Sequence, residues 1–207
     1  MASVIIHIAI AKKVLNELKV DDRKDYYLGS IAPDISKHIK QPRYISHFIT
    51  HIGQSSPDID YFVSKYPNFK NNSFDLGYFT HLYTDKRWFD DFLPNIVQNC
   101  SLKLLDGTIV TFGEKELLEI LYNDYTNLNI SVIEDYDLDL SLFYEDFKIP
   151  NTKLKEIPVD KLNILLDQMG IVIENSKREQ TYTMDMLDIN NFIEDVSTEI
   201  IEILKEY

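Results

Sequence analysis

The sequence predicts an all-α fold, a compact multi-helix bundle with one small β-hairpin insertion. Apolar residues recur at helical spacing along most of the 207 residues. Gly occurs 6 times and Pro 7 times, which is too few for the many tight turns of a β-sandwich or barrel. The hydrophobic fraction of 44% is sufficient for a buried core. We expect one domain over residues 1–207.

Helical periodicity is clearest in the first half of the chain. Ser3 can cap a first helix that runs to about Lys19. Pro33 disfavours helix at the residue before it, so a second helix is expected to end near Ile31. The predicted helices of this half cover residues 3–19, 26–31, 44–52, 58–66 and 74–98, the last with an interruption at Pro94.

The pattern changes after residue 100. Residues 102–112 contain an Asp106-Gly107 pair between short apolar runs, which is typical of a β-hairpin. Helical spacing then resumes over residues 114–127, 159–176 and 189–207. We therefore divide the domain into an N-terminal half of about 1–100, the hairpin of about 102–112, and C-terminal helices of about 114–207.

Charge and cysteine content exclude several classes of function. Lys and Arg number 21 against 34 Asp and Glu, a net charge of −13, so the surface repels phosphate backbones and we expect no nucleic-acid partner. Cys100 is the only cysteine, which excludes a disulfide framework and cysteine-based metal clusters. No basic region precedes the apolar N-terminal residues, and no apolar run approaches about 18 residues. We expect a cytoplasmic protein without stable membrane insertion.

Polar side chains on apolar helix faces indicate a buried site. His7 shares a helical stripe with Val4 and Ala11. On the longest predicted helix, His81 and Asp85 lie one turn apart in a stripe of aromatic residues. An ionised carboxylate on such a face is costly to bury unless it is paired or binds a cation.

Two nearby segments carry matching groups. His47 and His51 are four residues apart in a predicted helix, so both can point at one ion. Asp34 follows Pro33 in a loop between helices. Imidazole and carboxylate ligands together suit Zn²⁺ or another borderline divalent ion better than Ca²⁺ or Mg²⁺, which prefer oxygen ligands alone.

Each of these residues also has a purely structural explanation. A buried histidine or His–Asp pair is often only hydrogen-bonded within a core, while a helix-surface histidine is solvated and a loop aspartate caps a turn. One observation argues against these structural explanations: four of the five histidines lie on helix faces that are predicted to point inward. The alternatives stay open for His7, His81 with Asp85, His47, His51 and Asp34.

Four segments carry a family resemblance through their order and spacing. They are Ile6-His7, Leu28-Gly29-Ser30-Ile31-Ala32-Pro33-Asp34, Ser46-His47-Phe48 and Leu76-Gly77-Tyr78-Phe79-Thr80-His81-Leu82-Tyr83-Thr84-Asp85. With them, the chain resembles the zinc-dependent phospholipase C family over at least residues 1–95, and most closely its small intracellular bacterial hydrolases. The resemblance implies a bundle of α-helices of the phospholipase C/P1 nuclease type.

The resemblance also implies a metal centre of one or two Zn²⁺ ions at the mouth of the bundle. His7 matches a ligand of one zinc, and in the family a carboxylate at the position of Asp85 bridges this zinc and a neighbouring zinc. His51 lies outside the core motif and is retained as an additional ligand. The positions that hold the neighbouring zinc are matched by Asp34, His47, His81 and Asp85.

The chain departs from the family in two respects. Secreted members use a mature N-terminal Trp as a ligand, whereas this chain begins Met-Ala-Ser. They also have further histidine ligands after the His-x-x-x-Asp motif, whereas no histidine follows His81 here. A third metal site cannot be built in the same way, and the candidate replacement carboxylates are Asp90, Asp91, Glu174 and Glu179.

The sequence thus favours a metal-dependent hydrolase that acts on a phosphoric ester, a phosphodiester or a phosphomonoester, through metal-activated water. Asp34 is the candidate general base. The acidic surface favours a small substrate, because it attracts no polyanion. The alternative is a non-catalytic helical metal-binding or partner-binding module that kept the fold and lost part of the site.

Overall fold

Helix α1 (Val4–Glu17) begins where the sequence predicts, because the Ser3 hydroxyl accepts a hydrogen bond from the backbone N–H of Ile6. The computed structural model describes residues 2–206. Within them the fold is all-α with a small sheet, as predicted. The other α-helices are α2 (Arg23–Gly29), α3 (Ile35–His38), α4 (Arg43–Ser46), α5 (Ile59–Lys65), α6 (Ser73–Arg87), α7 (Glu114–Asp135), α8 (Leu162–Glu174) and α9 (Met186–Glu206).

Short helical turns and three strands join these helices. The sheet is antiparallel in the order β1 (Val97–Gln98), β2 (Ser101–Lys103), β3 (Ile109–Thr111). The 3₁₀ turns are Ala32–Asp34, Phe69–Asn71, Leu93–Asn95, Ser141–Phe143 and Val159–Lys161, and a π-helix spans Trp88–Phe92.

The predicted hairpin is confirmed in β2 and β3. Leu102 pairs with Val110 across the two strands. Gly107 in the connecting turn has a φ of 86°, which glycine adopts without strain. Strand β1 was not predicted, because two residues are too short for a periodic signal. It extends the hairpin to a three-stranded sheet.

Two predicted helices end early. The helix expected over residues 44–52 stops at Ser46, because Phe48 has a φ of 52° and turns the chain out of helical geometry. The helix expected over residues 74–98 is α-helical only to Arg87 and continues as the π-helix and a 3₁₀ turn around Pro94, which lacks a backbone N–H.

Two C-terminal helices are longer than expected. Helix α7 continues to Asp135 beyond the predicted end at residue 127. Helix α9 begins at Met186, three residues before the predicted start at Ile189. The end that we predicted for α9, Tyr207, lies outside the described residues.

Helices α2 and α6 cross with their backbones in direct contact. A Cβ on Gly77 would lie 2.0 Å from the carbonyl oxygen of Tyr26. A Cβ on Gly29 would lie 2.1 Å from the carbonyl oxygen of Phe74. Both positions therefore require glycine, and the crossing brings Ser30, which follows α2, against the middle of α6.

The hydrophobic core draws residues from both ends of the chain. Ile5 and Ile10 of α1 are fully buried, as are Tyr78 of α6, Leu165 of α8 and Ile193 of α9. Helix α1 packs against α6, α7 and α9. We retain one domain over residues 1–207 as our interpretation. None of the helices described between residues 2 and 206 has the length and apolar character needed to cross a membrane.

Candidate metal centre

Five polar side chains from four segments converge at the end of the α2–α6 pair. They are almost fully buried, with no residue more than 4% exposed. Helix α1 supplies one, the 3₁₀ turn before α3 another, the residue after α4 a third, and α6 the last two. The five are His7, Asp34, His47, His81 and Asp85.

Ligand atoms of Asp34, His47 and His81 lie close enough together to share one metal ion, and Asp85 lies beside them. The Nε2 atom of His47 lies 3.4 Å from Asp34 Oδ1, 3.4 Å from His81 Nε2 and 3.5 Å from Asp85 Oδ2. His81 Nε2 lies 3.9 Å from each of the same two carboxylate oxygens. Zinc ligands lie about 2.0–2.2 Å from the ion, so tetrahedral neighbours are roughly 3.3–3.6 Å apart. The atoms of Asp34, His47 and His81 therefore fit one zinc with small adjustments, and Asp85 Oδ2 approaches the same two imidazoles without joining that group.

A second group of possible ligands includes His7. Its Nε2 atom lies 3.5 Å from Asp85 Oδ1, and its ring stacks on that of His81 with 3.9 Å between centroids. Ligand atoms of these three residues all lie within 4.8 Å of one another. Asp85 Oδ1 faces His7 and Asp85 Oδ2 faces His47, so this carboxylate lies between the two groups, which share His81.

Hydrogen bonds set the protonation of the two central imidazoles. His81 Nδ1 lies 2.9 Å from the carbonyl oxygen of Ser30, which can only accept, so Nδ1 holds the proton. His47 Nδ1 lies 2.8 Å from Ser46 Oγ, whose own proton is donated to the carbonyl oxygen of Arg43 at 3.3 Å. His47 Nδ1 therefore donates as well. On this assignment both Nε2 atoms carry lone pairs that face the centre.

Several buried polar atoms of the centre lack a hydrogen-bond partner among the described residues. They are Asp34 Oδ1 and both ring nitrogens of His7. Buried polar atoms without partners are rare and costly in native proteins. A divalent cation bound among these atoms would satisfy Asp34 Oδ1 and one nitrogen of His7, so the residues present fit the zinc that the family resemblance implies.

Burial favours neutral histidines in this centre. Burial lowers the pKa of His81 well below its ordinary value of 6.5, and the neighbouring His7 lowers it further. Burial also lowers the pKa of His47. Both imidazoles are therefore neutral at neutral pH, which is the state that binds metal ions.

The two carboxylates are ionised. Burial would raise the pKa of Asp34, but the Lys37 ammonium and other nearby groups outweigh this effect and lower it. Burial would likewise raise the pKa of Asp85, but the contact with His7 and other nearby groups hold that pKa well below its ordinary range. Neutral imidazoles and ionised carboxylates together form a donor set for a divalent cation.

The remaining predicted ligand, His51, lies apart from the five. Its side chain is exposed, and it belongs to neither of the groups whose ligand atoms converge. The prediction placed His47 and His51 on one helical face, but the helix ends at Ser46, so their spacing of four residues does not align them. The left-handed turn at Phe48 separates the two imidazoles instead.

Sequence reasoning missed the residues that support the ligands. Ser30 and Ser46 orient the two central imidazoles, and Arg43 donates to Asp85 Oδ2 at 2.8 Å. Lys37 lies 3.6 Å from Asp34 Oδ2. The sequence offered one signal for the role of Ser46: it directly precedes His47 in the segment that resembles the family.

Comparison with known proteins supports the same chemistry. Residues 6–87 match the family model described as zinc dependent phospholipase C. That segment contains all five converging residues and ends at the last residue of α6. It covers less than half of the 207 residues. No curated protein and no solved structure matches the chain significantly. The match confirms the resemblance over the segment and, with the His and Asp groups, supports a metal-dependent, hydrolase-like role.

Proposed function

We propose that the protein is a zinc-dependent hydrolase of phosphoric esters, either phosphodiesters or phosphomonoesters. The observation that carries the proposal is the convergence of three imidazoles and two carboxylates, whose ligand atoms form two groups that share His81. One or two Zn²⁺ ions would be held by His7, Asp34, His47, His81 and Asp85. A bound divalent ion supplies a nucleophilic hydroxide near neutral pH and offsets negative charge on the phosphoryl group.

The chain's own residues have distinct roles in this proposal. His47 and His81 present unprotonated Nε2 atoms because Ser46 and Ser30 hold their Nδ1 protons. Asp34 is ionised and its Oδ1 has no hydrogen-bond partner among the described residues. Because Oδ1 would bind the metal, Oδ2 is the oxygen proposed to accept a proton from an attacking water, which makes Asp34 the proposed general base.

The acidic surface constrains the proposed substrate and partners. A net charge of −13 repels nucleic acids and other polyanions at long range. We therefore propose a small phosphoester as substrate and no nucleic-acid partner.

A substrate screen with matched variants tests the proposal. Purified protein is assayed on phosphomonoesters and phosphodiesters with added Zn²⁺ or Mn²⁺, and its metal content is measured. We expect turnover by the wild type, loss of activity in H81A and full activity in H51A, whose imidazole is exposed. Full activity in H81A would contradict the proposal, as would a zinc-loaded wild type without turnover on any ester.

A second candidate function is a non-catalytic metal-binding module. The closeness of Asp34, His81 and Asp85 to His47 favours it, because a fourth protein ligand would close the site, and structural zinc sites are closed whereas catalytic ones keep a position for water. Cobalt substitution separates the two. A purely tetrahedral Co²⁺ spectrum that is unchanged by inorganic phosphate supports the module, and a spectrum that phosphate changes supports the hydrolase.

A further inference from the structure

Arg43, the first residue of α4, is fixed beside the centre by three contacts. Its Nη2 atom donates to Asp85 Oδ2 at 2.8 Å. Its Nη1 atom donates to the carbonyl oxygen of Ser55 at 2.6 Å. The guanidinium carbon lies 4.8 Å from the centroid of the Phe89 ring, a cation–π distance. These contacts hold a normally flexible side chain in one position next to a predicted metal ligand.

The exposed fractions of the side chains indicate that the Arg43 guanidinium lies between the centre and solvent. The Asp85 side chain is fully buried, whereas the Arg43 side chain is 27% exposed. Lys37 stands in a similar relation to the other carboxylate: it is 38% exposed and its Nζ atom lies 3.6 Å from Asp34 Oδ2. Each buried carboxylate is thus paired with one partly exposed cationic side chain.

The charges of these four groups leave the centre cationic once it holds metal. The two carboxylates are balanced by Arg43 and Lys37, so a divalent ion bound between them adds net positive charge. The rest of the chain is strongly acidic. A compact anion that contacts both metal and guanidinium would offset the local positive charge.

Arg43 has donors left for such an anion. A guanidinium carries five N–H groups, and two of them are used by Asp85 and Ser55. Planar guanidinium groups bind phosphoryl oxygens with two parallel hydrogen bonds, which an ammonium cannot do.

We propose that Arg43 binds a non-bridging oxygen of the substrate's phosphoryl group while its contact with Asp85 holds it beside the metal. The inference rests on the proposed function. It makes Arg43 a substrate-binding residue in addition to the ligands, outside the motifs that sequence reasoning identified. The contact with Phe89 extends the site to the π-helix that follows α6.

Binding of inorganic phosphate tests the inference independently of turnover. Phosphate is titrated by calorimetry into wild type, R43Q and R43K, each with and without stoichiometric zinc. The matched control is R178Q, which removes an arginine paired with Glu134 on the surface. We expect R43Q to weaken phosphate binding to the zinc-loaded protein by about tenfold or more, R43K to lose less because it keeps the charge, and R178Q to bind as wild type.

Zinc content separates a binding role from a structural one. R43Q with wild-type zinc content and weakened phosphate binding supports the inference. Unchanged phosphate binding in R43Q overturns it, and so does a wild type that binds no phosphate in either state. If both R43Q and R43K lose bound zinc as well as phosphate binding, the inference is also overturned. Arg43 would then affect phosphate only by holding the metal ligand Asp85 in place. If phosphate binds as expected but no ester is hydrolysed, the proposed function fails, and only the part of the inference that makes Arg43 a phosphate-binding residue stands.

Discussion

The Nε2 atoms of His47 and His81 lie 3.4 Å apart, and both rings have their Nδ1 atoms committed to serine oxygens. With those tautomers no proton lies between the two Nε2 atoms, so two lone pairs face each other in a buried site. Such an arrangement is unfavourable without a cation. The pair therefore connects the fold, which sets the tautomers, with the proposed zinc chemistry.

Zinc should stabilise the protein. An ion bound only by the folded state adds about 4 kcal/mol to the free energy of unfolding when its concentration is a thousand times its Kd. We expect a higher Tm with zinc than with a chelator, measured by calorimetry. H81A should lose this difference and H51A should keep it, because only His81 lies in the converging groups. An equal zinc response in both variants would contradict the ligand assignment.

Loss of the Ser46 hydroxyl should weaken zinc binding without unfolding the chain. S46A removes the group that orients His47, and loss of such supporting contacts costs roughly 10- to 100-fold in metal affinity. Competition with a chromogenic chelator measures the Kd. The matched control is S64A, because the Ser64 hydroxyl makes the same kind of bond to a carbonyl three residues earlier, in α5. Equal zinc affinity in S46A and wild type would refute the role.

The glycines at the α2–α6 crossing should be intolerant of any side chain. In G77A the new Cβ would lie 2.0 Å from the carbonyl oxygen of Tyr26, so the helices must separate. We expect a loss of about 3 kcal/mol or more in the free energy of unfolding. The control G170A, in α8, meets nothing within 4 Å and should stabilise by about 0.5–1 kcal/mol. Urea denaturation measures both, and similar effects of the two changes would disprove the close contact.

Metal-free protein should lose stability as the pH falls below about 6.5. Burial lowers the pKa of His47 and His81 in the folded state, so the unfolded chain binds protons first. Their contribution is fully present above the unfolded value of 6.5 and decreases as the pH falls toward the folded pKa values.

The carboxylates act in a lower pH range. The folded pKa values of Asp34 and Asp85 are below the unfolded value of 3.8, so their contribution persists down to that pH and is lost below it. Denaturation with a chelator at about pH 5 and about pH 7.5 isolates the histidine effect. H81Q should show a smaller difference between these pH values than wild type. If H81Q and wild type show the same difference in stability between the two pH values, the pKa of His81 is not lowered in the folded state.

Local sequence patterns predicted much of the centre. The spacing of His81 and Asp85 places both on one helical face, and the structure keeps them there because α6 is regular through Arg87. His7 was predicted in the same way from the stripe of α1 and is buried. These predictions succeeded because helix geometry alone decides which residues share a face.

Other parts of the centre depend on contacts that no local pattern encodes. His47 joins it through the turn at Phe48 rather than through a helical face shared with His51. Arg43 reaches Asp85 across 42 residues of sequence, and Ser30 meets His81 only because α2 and α6 touch. Such tertiary contacts are fixed by packing between elements, not by periodicity within one.

The glycine crossing has a kinetic consequence. Ser30 can hold the Nδ1 proton of His81 only while the backbones of α2 and α6 are in contact. If the helices separate, the imidazole is free to rotate or change tautomer, and the ligand set loses its geometry. Exchange of a bound ion would then be paced by the opening of one helix pair rather than by the metal–ligand bonds, so a zinc off-rate would report how often this part of the fold opens.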